Sequence, residues 1–124
     1  MKAFTAAVAL ALVAPVSAQT PAAQTYAVRL YSFGFQPNPL VLRAGVPVTL
    51  VFTNTAGMGH EFSAHYFFKT SRILSGKVDE EGSIELRPHQ SASVTLIPVR
   101  GTYDAHCGHF MHKQLGMQAK IYVE

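Results

Sequence analysis

An antiparallel β-sandwich or barrel is the fold class this sequence predicts. About seven short segments rich in β-branched and aromatic residues run through it, with turn signals between most of them. Apolar residues alternate at period two, and no convincing amphipathic helix interrupts them.

The segments follow in order. Residues 1–18 are set apart as a signal peptide: Lys2 is a positive start, Ala3 to Val16 is almost wholly apolar, and Val16-Ser17-Ala18 is a small-x-small cleavage pattern. The apolar run falls short of the roughly 20 residues that a membrane helix needs. Cleavage after Ala18 would leave 106 of the 124 residues, enough for one modest core. Gln19 to Thr25 reads as a flexible lead-in, and residues 26–124 as one domain. Tyr26 to Tyr31 is the first strand. Phe35 to Pro39 breaks it, and Leu40 to Arg43 resumes. Val46 to Thr53 is the clearest strand, with Val48, Leu50 and Phe52 on one face and Thr49, Val51 and Thr53 on the other. Asn54 to Gly59 is a loop by composition. Glu61 to Thr70 suits a strand or one helical turn. Ser83 to Leu86, Ser91 to Ile97, Gly101 to Cys107 and Gln118 to Val123 complete the set.

The formal charge is +3, or +2 without Lys2, and the charges are scattered. No dense basic stripe suggests nucleic acid as a partner, and no later apolar run suggests stable membrane insertion. Export would place the chain in the periplasm if the source is Gram-negative. Cys107 is the one cysteine. It cannot make an internal disulfide, so an exported chain needs another use for it.

Cys107, His112 and Met117 recur at intervals of five between two expected strands. One loop of that length can gather a thiolate, an imidazole and a thioether around a point. A thiolate and two imidazoles in a plane, with a distant thioether on the axis, is the donor set of a blue-copper centre. Zinc sites favour paired cysteine spacings that this chain lacks. His60, directly after the clearest strand and its loop, is the candidate for the second imidazole, because loops at one end of a sandwich cluster in space. Met117 has rivals for the axis, among them Gly116, a backbone carbonyl and a Glu61 oxygen. His106 should face away from Cys107, His65 and His89 should be solvated, and His109 faces solvent or makes a weak metal contact.

The Cys-x4-His-x4-Met run, with Gly101-Thr102-Tyr103 before it, resembles the copper loop of cupredoxins of the plastocyanin and azurin kind. Its lengths are similar to those of phytocyanins and of the type 1 site in multicopper oxidases. The resemblance covers residues 26–124. It implies a Greek-key β-sandwich with one copper, Cu(I) or Cu(II), at one end, and one-electron transfer rather than enzymatic turnover. Two departures stand out. Multicopper oxidases flank the cysteine with histidines, whereas Gly108 follows Cys107 here. Many cupredoxins carry a small polar residue after the first ligand histidine, where this chain has Glu61. The alternative function is copper handling, by sequestration or delivery, motivated by the surplus donors Met58, Met111, His65, His106 and His109. Either way, a redox partner protein or a copper acceptor is expected at an apolar ring around His112, formed by Gly57, Met58, Gly59, Phe110, Met111, Leu115 and Gly116.

Overall fold

The computed structural model describes residues 1–17 and 22–124. Residues 1–17 are exposed and without regular structure. The expected cleavage point after Ala18 and the first three residues of the lead-in, 19–21, lie outside the described residues.

Ten strands and one short helix follow. They are β1 (Gln24–Tyr31), β2 (Gly34–Gln36), β3 (Leu40–Leu42), β4 (Val48–Asn54), β5 (His60–Ser63), α1 (His65–Thr70), β6 (Arg72–Ser75), β7 (Ser83–Leu86), β8 (Ser91–Ile97), β9 (Gly101–His106) and β10 (Gln118–Val123). They form two five-stranded sheets, ordered β2-β1-β4-β8-β6 and β3-β10-β9-β5-β7. This is the Greek-key β-sandwich expected from the sequence.

Strand β4 shows how the sequence dictates the layers. Its alternate residues Val48, Leu50, Phe52 and Asn54 are buried. On its other face Thr49 hydrogen-bonds across to Thr95, hydroxyl to hydroxyl at 2.8 Å. The inner faces meet through aromatic rings: Phe62 lies 4.8 Å from Phe52 and 5.3 Å from Phe35, centroid to centroid. Full burial of such a side chain contributes about 1.5–3 kcal/mol.

The structure differs from the sequence expectations at several points. Two pairings are parallel, β1 with β4 and β10 with β3, so the sheets are mixed. Gln24 and Thr25, expected in the lead-in, already pair with Val48 and Thr49. The ambiguous stretch after Gly59 divides into β5 and α1. The helix buries Phe67 and Phe68 and ends where Ser71 Oγ donates to the Phe67 carbonyl at 2.7 Å. Strands β2 and β6 escape a pattern reading because β2 has three residues and β6 is exposed throughout, leaving no alternation to detect.

This topology sets the site. Strand β4 lies in one sheet and β5 in the other, so residues 55–59 cross between them and deliver His60 to the rim. Strands β9 and β10 are antiparallel partners, and the loop between them carries residues 107–117. The register Ser63↔His106 puts the start of that loop beside β5.

Candidate metal centre

The crossing at residues 55–59 is held by Asn54, whose side chain is fully buried. Its Nδ2 donates to the carbonyls of Met58, Leu86 and Arg87 at 2.8, 3.2 and 3.2 Å, and its Oδ1 accepts from the Ala56 N–H at 3.0 Å. The loop after β9 folds on itself through bonds from the N–H groups of His112, Leu115 and Gly116 to the carbonyls of His109, Met111 and Lys113. Gly116 makes the final turn at φ 100°, in the left-handed region that glycine enters without strain. Met117 then accepts from the Cys107 N–H through its carbonyl and donates its own N–H to the His112 carbonyl.

His60, Cys107 and His112 are brought together, with every pair of ligand atoms within 4.8 Å. The two Nδ1 atoms lie 3.2 Å apart, and Cys107 Sγ is 3.4 Å from His112 Nδ1 and 3.9 Å from His60 Nδ1. Both imidazoles thus turn the same nitrogen toward the sulfur. Cys107, His60 and Met117 are buried, and His112 is half-buried. Met117 is tied to both loop donors through its main chain.

Three neighbours hold this group. The Glu61 N–H donates to Cys107 Sγ at 3.4 Å. Ser32 Oγ lies 2.9 Å from His60 Nε2. The Phe33 ring packs edge-on against His112, with centroids 5.0 Å apart. Burial pushes the Cys107 thiol above its ordinary value, against the pull of the Glu61 and His109 main-chain N–H groups. Burial, then His112 and His109, push the His60 imidazole below its ordinary value. Two imidazole nitrogens and a buried sulfur form a soft, nitrogen-and-sulfur donor set, suited to a metal that takes both.

The Glu61 carboxylate is not part of that group. Its Oε1 accepts from the Gly108 N–H at 2.9 Å, and it clusters instead with Glu85 and His109. Burial pushes its carboxyl up, and the Gly108 N–H opposes this. His109 Nε2 lies 2.8 Å from Glu85 Oε1. His65 and His89 are exposed and His106 is half-buried. Of the expected apolar ring, Phe110, Leu115, Met111 and Met58 are exposed, Phe110 at 90%.

The sequence reading missed Ser32 and Phe33. Both follow β1, and no local pattern marks them. Only the pairing of Leu30 with Asn54 brings that strand's end to the rim.

A family model described as a cupredoxin-like domain matches residues 3–123. No curated protein matches the chain. Among solved structures, auracyanin B is 24% identical over 88% of this chain and 94% of its own, with a TM-score of 0.61. Auracyanin A of Chloroflexus aurantiacus, described as a "blue" copper protein, is 20% identical over 83% of this chain and all of its own, at TM-score 0.59. A multicopper oxidase from Campylobacter jejuni, described as a metallo-oxidase, is 15% identical over 88% of this chain, at TM-score 0.64. The chain spans 32% of that oxidase's length.

Proposed function

The chain belongs to the cupredoxin-like domain family, and from that premise we propose that it carries single electrons on one copper ion held by His60, Cys107, His112 and Met117. The observation that carries this reading is the convergence of two Nδ1 atoms on one buried thiol. When bound, copper supplies the Cu(II)/Cu(I) couple, accepting one electron from a donor and passing it to an acceptor.

The chain's own residues do the rest. Cys107 loses its proton on metal uptake, which offsets the cost of a buried thiolate. The Glu61 N–H then faces a charged sulfur rather than a thiol, and such bonds are the stronger kind. With Nδ1 of His60 turned inward, Nε2 carries the hydrogen and donates to Ser32 Oγ. Met117, buried and tied through its main chain to Cys107 and His112, would offer its thioether as the fourth and weakest donor. His112, half-buried under Phe33 in the loop that also carries the exposed Phe110, Met111 and Leu115, is the path by which electrons leave. The ring is the docking face for a redox partner protein. A small apolar patch suits a short-lived encounter.

This reading makes the protein a carrier, not an enzyme. It also includes export, supported by Lys2, the apolar run and Val16-Ser17-Ala18. A second reading, copper handling with delivery to an acceptor, is favoured by extra donors: the His109 ring beside His60 and His112, and the exposed Met58 and Met111 on the two ligand-bearing loops.

The first test is an optical and EPR spectrum of the chain with one equivalent of Cu(II), beside Cys107→Ser. We expect an intense visible thiolate-to-copper band that the substitution abolishes, and reversible reduction. A colourless wild-type chain sinks the thiolate centre. A coloured chain that surrenders Cu(I) readily to an acceptor favours handling over electron transfer.

A further inference from the structure

Glu61 on β5 and Glu85 on β7 stand directly opposite one another in the antiparallel register. Like charges so placed are destabilising. Among the described residues, no Lys or Arg lies within ion-pair distance of either carboxylate, and the basic side chain beside them is His109. One imidazole cannot balance two carboxylates.

Glycines leave room at this spot. A Cβ on Gly108 would sit 2.1 Å from Glu61 Oε1, and one on Gly59 would sit 3.4 Å from the His109 ring and 3.6 Å from Glu85 Oε1. Both positions lie within the two loops that deliver His60 and Cys107. One ligand atom from each of Glu61, Glu85 and His109 lies within 4.8 Å of the others. A metal with bonds of about 2.0–2.2 Å needs them somewhat closer. Glu85 and His109 have side chains 54% and 32% exposed and are free to rotate inward.

We propose that Glu61, Glu85 and His109 form a second metal site, beside the thiolate centre, that takes a divalent transition-metal ion, Cu(II) or Zn(II). Two carboxylate oxygens and one imidazole nitrogen suit these ions, and without sulfur the set does not suit Cu(I). The Glu61 oxygen bound to the Gly108 N–H stays there, which leaves the other to the ion. His109 moves its ring hydrogen to Nδ1 so that Nε2 is free to bind. None of the three side chains belongs to the thiolate centre, so this site stands or falls separately from it.

The test loads the full chain with one equivalent of Cu(I), titrates it with Zn(II) by calorimetry, and measures both metals after gel filtration. Glu85→Gln and His109→Gln are run alongside, with far-UV circular dichroism as the fold control. The wild type should keep one zinc more than either variant, and each variant should bind that zinc at least about tenfold more weakly. Equal zinc in the wild type and both variants overturns the site, as does a wild type that takes none. Copper retention in the same samples reports the thiolate centre independently. Should one variant misfold, the other decides.

Discussion

Ser32 Oγ lies 2.9 Å from His60 Nε2, and this contact selects the nitrogen that His60 offers inward. A free imidazole could present either nitrogen. A hydrogen bond to Nε2 costs nothing to a ring whose Nδ1 already points at Cys107. We therefore expect Ser32→Ala to weaken copper binding about 10–100-fold, the usual effect of removing a group that orients a ligand. The visible band should persist, because sulfur and both imidazoles remain. Competitive titration against a chelator measures the change. An unaltered affinity would mean that packing against Phe33 alone, 6.2 Å away centroid to centroid, orients the ring. Gly108 makes a second case at this scale. Gly108→Ala forces a Cβ to 2.1 Å from Glu61 Oε1, so the carboxylate must leave. A hydrogen bond to a charged group is then lost, worth about 1.5–3 kcal/mol. Urea unfolding of the metal-free protein should register a loss of that order. No change would show that the carboxylate finds an equivalent donor.

At the scale of elements, the decisive device is the crossing from β4 to β5. Asn54 closes β4 by binding three carbonyls, two of them from the end of β7 and the residue after it. One side chain thus joins the end of β4 to the opposite sheet and to the loop that delivers His60. Asn54→Ala would leave buried carbonyls without a donor, at a cost of about 1–3 kcal/mol. The metal-free protein should lose that much stability in denaturant, and copper uptake should slow because His60 is no longer fixed beforehand. Unchanged stability would mean that water enters and replaces the amide. The elements also explain how far the sequence could be read. Cys107, His112 and Met117 share one loop, so their spacing is visible in the chain itself. Strand β4 announces its faces through strict alternation, and His60 follows from its place just beyond. Ser32 and Phe33 reach the rim through a parallel pairing of β1 with β4, which no local pattern encodes. Glu61 and Glu85 meet through a register between strands 24 residues apart, and a shift of one residue would send them to opposite faces. Long-range pairing is where a reading of local periodicity stops.

At the scale of the whole molecule, the sandwich gathers the His60, Cys107 and His112 donors at one rim and keeps its charge thin. The formal charge of +3 is scattered, so long-range steering is weak and encounters depend on contact. The proposed contact face comprises Phe110, Leu115, Met111 and Met58, all in exposed positions. On the proposed function, two copies of the protein would meet face to face there and exchange an electron, which gives a measurement that needs no identified partner. Phe110→Asp puts a like charge on both sides of that encounter, and such charges oppose one another across an interface. The variant should slow electron self-exchange by about tenfold, with the visible band unchanged because Phe110 supplies no ligand atom. Line broadening in NMR spectra of the Cu(I) form, on addition of the Cu(II) form, gives the rate. Added salt should recover part of it by screening the introduced charges, whereas the wild-type rate should respond little. A variant that exchanges as fast as the wild type would move the electron path away from His112, because no encounter through this face could ignore the new charge.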